Sequence, residues 1–260
     1  MMNNKYDKII KEHYDKVANT QKMSSLSTMQ DKKIRKIETD FILDEIKKIK
    51  KKNISILDVG CGNGFTLLKI SKNYKKNNLY GFEQNKLLAS LAKKQLKNKA
   101  KIFIKDIRKL ESKKKFDLLI CQRVLINILN LSDQKKALNN LINLVKKGGV
   151  LLFIETFNSG IKELNDVRKK FGLNYLGPSH HNKPLTENFF NNRKLKSIVV
   201  TKNYELSSHY IVARVMHPFY LSFKKEKFKH NSRFVRFFSN LITIKNKHFS
   251  HIKLLKFIKN

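Results

Sequence analysis

The sequence predicts an α/β fold built on a doubly wound, seven-stranded and mostly parallel sheet. Short apolar runs alternate with amphipathic helical segments through the first 157 residues. Parallel strands covered by helices on both faces read as continuous apolar runs, as these do. A glycine-rich turn at residues 60–64, placed between a predicted strand and a predicted helix, is the third indication of this fold.

Seven apolar runs are predicted as strands because each has the length of a buried strand and is bounded by turn or polar residues. The first, Ile54–Val59, ends directly at Gly60. The run from Val150 to Phe157 is the most apolar. The predicted strands are residues 54–59, 79–82, 101–104, 116–121, 150–157, 197–201 and 252–258.

Amphipathic helices are predicted between these strands. In residues 31–52 the apolar side chains recur at helical spacing while the lysines fall elsewhere. A helix over 133–146 has Ser132 as its N-cap and Gly148 as its C-terminal stop. The other predicted helices are residues 65–71, 86–96, 164–171 and 186–192, and residues 205–247 are expected to be mostly helical.

The glycine turn is preceded by a carboxylate, so residues 58–64 read Asp-Val-Gly-Cys-Gly-Asn-Gly. Glycine turns of this kind also serve dinucleotides, but a carboxylate here would repel a pyrophosphate. The pattern favours a ligand without phosphate and with a positively charged amino-acid end. Glu83 ends the next strand at a spacing that suits hydrogen bonds from both ribose hydroxyls, and Asp106 follows the third strand, where it can accept from an adenine amino group.

These motifs resemble those of the class I S-adenosylmethionine-dependent methyltransferases, over about residues 50–157. Five segments match the family's motifs in the right order: residues 56–64, 81–83, 105–107, 116–120 and 146–151. The resemblance implies the strand order 3-2-1-4-5-7-6 with the last strand antiparallel, an N-terminal helical cap and helical insertions before the last strands. The alternative is a dinucleotide-binding protein of the same general fold.

The resemblance implies an enzyme with S-adenosyl-L-methionine as cofactor and no metal. One domain is expected over residues 1–260, with the cap and first helix in 1–52, the cofactor-binding core in 53–157, and substrate-side insertions and final strands in 158–260. The expected cofactor-binding residues are Tyr14, Asp58, Gly60, Cys61, Gly62, Asn63, Gly64, Glu83, Gln84, Asp106, Ile107 and Gln122. Tyr14 resembles an N-terminal tyrosine that covers the cofactor, although a packing role is the alternative.

The acceptor is expected above the carboxyl ends of the fourth and fifth strands. There, residues 122–127 read Gln-Arg-Val-Leu-Ile-Asn, and His181-Asn182 follows in a later loop. This set resembles a bacterial subgroup of small-molecule methyltransferases, although Ile128 stands where leucine is expected.

Catalytic and substrate-binding candidates follow from this placement. His181 and Glu155 are the catalytic candidates, and the substrate-binding candidates are Arg123, Asn127 and Asn182. Each has a structural alternative: an ion pair for Arg123, a braced turn for Asn127 and a solvated loop for His181. The predicted reaction is methyl transfer to a hydroxyl or amine of a small polar or sugar-like acceptor.

The net charge of +36 has two interpretations. A basic protein can bind nucleic acid or anionic lipid. However, 48 of the 56 basic residues are lysine, which shares A/T-rich codons with the abundant Asn and Ile, and the arginine that best reads phosphate is scarce. Lysine runs are dispersed, at residues 50–52, 75–76, 93–94, 113–115 and 224–225. We therefore expect a diffuse positive surface without a specific nucleic-acid partner.

The C-terminal part combines charge with aromatic residues. Residues 205–260 contain twelve Lys or Arg and two acids, with phenylalanines interleaved. A membrane-surface helix within 205–247 and an RNA-binding surface are both conceivable. Helices that pack their phenylalanines on the sheet are the favoured interpretation. RNA or protein methylation remains the alternative function, although no Asn-Pro-Pro-Tyr-like tetrapeptide follows the fourth strand, which argues against a nucleobase acceptor.

Two further observations bear on location. Cys61 and Cys121 form neither a disulfide framework nor a zinc-ligand spacing. No apolar run reaches the roughly 18–20 residues of a membrane span, and residues 1–16 lack the apolar core of a secretory signal. The expectation is a reduced, cytoplasmic protein without a transmembrane segment.

Overall fold

The computed structural model describes residues 4–24, 26–27, 29–110, 112–224 and 226–260. Its strands are β1 (Ser55–Val59), β2 (Asn78–Glu83), β3 (Lys101–Ile104), β4 (Phe116–Gln122), β5 (Val145–Thr156), β6 (Leu195–Ile198) and β7 (Ile252–Lys259). They form one sheet in the order β3-β2-β1-β4-β5-β7-β6. β7 is antiparallel to both of its neighbours, and the strands from β3 to β5 pair in parallel. The predicted order and the antiparallel last strand are confirmed.

Helices cover both faces of this sheet. They are α1 (Asn4–Gln21), α2 (Lys32–Lys47), α3 (Phe65–Asn73), α4 (Lys86–Leu96), α5 (Leu131–Asn143), α6 (Asn158–Lys170), α7 (Asn203–Ile211), α8 (His217–Lys224) and α9 (Arg233–Leu241). Apolar side chains of α2, α3, α4, α6 and α7 pack on one face, and those of α5 and the segment after β4 pack on the other. The alternation of apolar runs thus produced two separate hydrophobic layers, as expected for a doubly wound sheet.

The predicted boundaries around α5 and β5 were wrong. Asn130, not Ser132, is the N-cap of α5, because its side chain accepts from the backbone N–H of Asp133. The helix ends at Asn143 and β5 begins at Val145, so that the lysine–glycine segment 146–149 belongs to the strand. Val145 pairs with Phe116, and the register of the β4–β5 pairing then shifts. The sequence does not predict this start of the strand, because residues 146–149 read as a turn.

The region 205–247 is largely helical, as predicted. α7, a π-helical turn at Val212–Met216, α8 and α9 follow one another, and Leu206, Tyr210 and Val215 join the hydrophobic core. This supports packing of the region on the sheet, although Phe223 and Phe237 remain exposed. None of the helices in the described ranges is long and apolar enough to cross a membrane.

The lysine runs lie on different elements and their described members are all exposed. Lys225, in the last run, lies outside the described residues. The positive charge is therefore spread over the surface.

Candidate active site

A cavity of about 890 Å³ lies at the carboxyl ends of β1, β2 and β4, beneath α1. This is where an open α/β sheet binds ligands, because the strand order reverses between β1 and β4. Fifteen of the seventeen predicted site residues line it. The two exceptions are Gly64 and Glu155, which are absent from the cavity wall formed by the described residues.

The glycine turn brings backbone to the cavity wall. Gly60 has φ +62°, and a Cβ on it would lie 2.4 Å from Cγ2 of Val124, so only glycine fits there. Gly64 has φ +84° and starts α3, where a Cβ would meet the side chain of Leu96. Gly64 therefore shapes the turn and packs on α4, and its predicted contact with the cofactor stays a prediction.

Glu83 holds the turns after β1 and β2 together. Its Oε2 accepts from the backbone N–H of Gly62 at 2.8 Å, and its Oε1 accepts from that of Asn85 at 2.8 Å. Burial raises the pKa of this carboxyl above its ordinary value. The predicted ribose-binding carboxylate is thus positioned on the cavity wall by the turns that surround the predicted ligand.

Asp58 is buried at the end of β1 and faces the cavity. Burial, together with the nearby Glu83, raises the pKa of Asp58 to about 8, and Arg35 opposes this increase. Two buried carboxyl groups with raised pKa values favour a cationic ligand, since a positive charge would offset the cost of their ionisation. This matches the sequence-based expectation of a positively charged amino-acid end.

Asp106 forms an ion pair with Arg108. Its carboxylate accepts from Nε and Nη2 of Arg108, and Nη1 of Arg108 donates to Asp7 of α1 at 2.6 Å. Asp106 lines the cavity, but Arg108 engages both of its oxygens. The guanidinium of Arg108 therefore joins α1 to Asp106 and the loop after β3, which the sequence did not predict.

Helix α1 covers the cavity and is held mainly by polar contacts. Ala18 is the one fully buried side chain among those described in this helix. Besides the Asp7–Arg108 pair, the side chain of Asn85 donates to Asp15 and that of Asn127 donates to the hydroxyl of Tyr14. Tyr14, the tyrosine predicted to cover the cofactor, therefore lies on the cavity wall, in a helix that is attached mainly by polar contacts.

Glu155 was predicted as a catalytic residue, and its surroundings favour a different role. Its carboxylate is fully buried and accepts from the backbone N–H groups of three consecutive residues after β4, namely Val124, Leu125 and Ile126. Burial raises its pKa to about 7. Glu155 is a positioning residue that shapes the cavity wall from behind.

Arg123 lines the cavity, but its charge is compensated. Its Nη1 donates to the fully buried Glu38 of α2, and Gln122 donates to the other oxygen of Glu38 at 2.6 Å. Arg123 also adopts φ +55°, an uncommon conformation for a non-glycine residue. Arg123 thus forms the ion pair that was its structural alternative, with a buried partner, and its predicted substrate-binding role stays a prediction.

Three histidines meet at the cavity. His181 stacks on His13 with ring centroids 3.6 Å apart, and ligand nitrogens of these two and the exposed His180 lie within 4.8 Å of one another. Imidazole lone pairs lie in the ring plane, so parallel stacked rings do not point at a common ion. Burial, with the two neighbouring imidazoles, lowers the pKa of His181 to about 4, which keeps it neutral at physiological pH.

Several cavity residues were missed by the sequence reasoning. They are Arg35, Tyr210, Arg214 and His251, together with His13. None belongs to a motif with a characteristic spacing. The signal that could have found two of them is composition, because arginine is scarce in this chain and each of its eight arginines stands out against 48 lysines.

Comparisons with known proteins agree with this geometry. A sequence model of the family described as "Methyltransferase domain" matches residues 50–206, more than half of the chain. A malonyl-[acyl-carrier protein] O-methyltransferase of Priestia megaterium is 26% identical over 167 residues. That match includes 62% of this chain and 54% of the relative, so the chain spans about half the length of this protein.

Two solved structures share the fold. The magnesium protoporphyrin IX methyltransferase of Synechocystis PCC 6803 with bound S-adenosylhomocysteine superimposes with a TM-score of 0.61 at 12% identity, over 98% of this chain and 100% of the other. The N-methyltransferase NodS of Bradyrhizobium japonicum WM9 gives a TM-score of 0.53 at 14% identity, over 73% and 88%. At these identities the likeness concerns the fold.

The polar attachment of α1 can be tested by Asp7→Ala. Asp7 is about one-third exposed, so loss of its pair with Arg108 should weaken the packing of α1 on the rest of the protein by roughly 0.5–1 kcal/mol. Amide hydrogen exchange in residues 4–21 should accelerate about two- to fivefold, while exchange in β1, β4 and β5 stays unchanged. Lys8→Ala, which removes an exposed pair within α1, is the control. Equal exchange in both variants would show that this ion pair does not hold the helix.

Proposed function

The chain belongs to the methyltransferase-domain family, and from this membership we propose that it transfers a methyl group from S-adenosyl-L-methionine to a small polar acceptor bound in the same cavity. The observation that carries the proposal is the convergence of fifteen predicted site residues on one cavity at the carboxyl edge of the sheet. A cavity of about 890 Å³ lies toward the upper end of the range for small-molecule sites, which leaves room for a cofactor and a small acceptor together.

The cofactor is proposed to occupy the side formed by the ends of β1, β2 and β3. Asp58 and the glycine turn would hold its amino-acid end, and Glu83 its ribose hydroxyls. Ile107 and Gln84 line the same wall, beside Asp106. The buried carboxyls there suit the positive charge of an ammonium group, which supports this orientation.

The acceptor is proposed to lie across from β4, toward β5 and β7. Asn127, His181 and Asn182 line this part of the wall. Methyl transfer from a sulfonium is an in-line displacement, so alignment of the acceptor and exclusion of water account for much of the catalysis. α1 would exclude water. His181, with its pKa of about 4, would stay neutral and orient the acceptor by accepting a hydrogen bond from its hydroxyl or amine. The dispersed lysines give no support to RNA as the acceptor.

Cofactor binding is the first test. Isothermal titration calorimetry should show that S-adenosylmethionine and S-adenosylhomocysteine bind and that NAD does not. Glu83→Gln should weaken S-adenosylhomocysteine binding by about 1.5–3 kcal/mol, because the charge-assisted ribose contacts are lost. Glu163→Gln is the matched control, since Glu163 pairs with His248 and is absent from the cavity wall formed by the described residues. NAD binding without affinity for S-adenosylhomocysteine would refute the proposal.

Proton release tests the orientation of the cofactor. With its pKa raised to about 8, Asp58 is largely protonated at pH 7 in the free protein. An α-amino group is largely charged at that pH, and its arrival favours the ionised carboxylate, so binding should release a proton and strengthen as pH rises from 6 to 8. Calorimetry in two buffers of different ionisation heat measures the release. Asp58→Asn should abolish it and Glu163→Gln should retain it; wild-type binding without proton exchange would place the ammonium elsewhere.

A further inference from the structure

The β5–β7 side of the cavity contains polar atoms that lack hydrogen-bond partners. Among the described residues, buried side-chain atoms without a partner include Nη1 of Arg214, Nδ1 of His251, Nδ1 of His181 and Oδ1 of Asn182. All four residues line the cavity. Buried polar groups are nearly always satisfied in folded proteins, so a cluster of orphans on one wall indicates the place of a polar ligand.

Arg214 is the charged member of this cluster. It lies in the π-helical turn after α7, a type of distortion that is frequent at functional sites. Its guanidinium lies 5.1 Å from the ring centre of Phe228 and 5.9 Å from that of Tyr210, and its Nη2 is 3.2 Å from Nδ1 of His230. The carboxylate that Arg214 influences is that of Asp31, which lies 2.9 Å from Nε2 of the fully buried His209. The charge of Arg214 helps to lower the pKa of Asp31, but Nη1 of Arg214 is buried without a hydrogen-bond partner among the described residues. An oxyanion placed at Nη1 would supply the missing acceptor.

His251 adds a donor beside this cation. Its Nε2 lies 3.2 Å from the hydroxyl of the fully buried Tyr210. Burial, aided by the charge of Arg214, lowers the pKa of His251 to about 3, so the ring is neutral. When Tyr210 donates to Nε2, the ring proton resides on Nδ1, which is the unpartnered atom. Arg214 and His251 then both present N–H groups without acceptors.

We propose that the methyl acceptor is an acidic metabolite whose carboxylate or phosphate group binds to Arg214 and His251. This rests on the proposed function, since it assumes that the cofactor occupies the β1–β3 side of the cavity. The planar guanidinium donates two parallel hydrogen bonds to either a carboxylate or a phosphate, so the same site can bind both groups. The acceptor's anionic group would lie on the β5–β7 side, and its reactive atom would face the cofactor near His181.

The test titrates the protein, already saturated with S-adenosylhomocysteine, with inorganic phosphate and separately with acetate at constant ionic strength. We expect saturable binding of at least one anion, and a loss of about tenfold or more in Arg214→Met. Arg214→Lys keeps the charge without the two parallel hydrogen bonds and should give an intermediate loss. Arg236→Met, at an exposed arginine of α9, is the control for non-specific attraction to this basic surface. Tighter phosphate binding indicates a phosphorylated acceptor, and tighter acetate binding a carboxylic acid.

Thermal unfolding of each variant shows whether it is folded. If Arg214→Met does not fold, the comparison is made between the wild type and Arg214→Lys. Unchanged anion binding in both Arg214 variants, or no saturable binding of either anion to the wild type, would overturn the acidic acceptor. Loss of anion binding when S-adenosylhomocysteine is added would also overturn it, because the site would then be that of the cofactor's own carboxylate. Failure of S-adenosylhomocysteine itself to bind would instead contradict the proposed function, so the two failures are distinguishable.

Discussion

Burial of charge around a single cavity is the constraint on which this structure depends. Asp58 and Glu83 are buried carboxyl groups with raised pKa values on one side, and Arg214 has, on the other side, a buried nitrogen without a hydrogen-bond partner among the described residues. Such groups destabilise a fold unless a ligand compensates them. The sheet positions both sets because β1, β2 and β4 end at the same edge, and β7 starts there by running antiparallel.

Two other buried carboxylates act as anchors for the cavity wall. Glu155 accepts three backbone N–H groups of the segment after β4, and Glu38 binds the side chains of Gln122 and Arg123. Between them they fix this segment, including the positive φ of Arg123. The consequence is a cavity wall fixed by buried hydrogen bonds, opposite a helix, α1, that is held mainly by polar contacts.

The fold was largely predictable because its information is local. The first four strands were predicted to within a residue or so at most ends, since each is an apolar run bounded by a turn. The start of β5 was missed because residues 146–149 read as a turn.

The site was predictable where glycines and carboxylates have fixed spacing. The backbone donors around Glu155 were not predicted, because a sequence shows a carboxylate at a strand end but not the donors that it faces. Arg214 and His251 were missed because only tertiary packing brings them to the cavity.

If the polarised cavity orients the cofactor with its acceptor opposite, a crystal structure of the protein with S-adenosylhomocysteine will show it. We expect the ribose hydroxyls at Glu83, the ammonium at Asp58, and the thioether sulfur directed toward the wall that carries His181 and Arg214. A cofactor with its carboxylate on Arg214, or with its adenosine on the β5–β7 side, would refute this orientation.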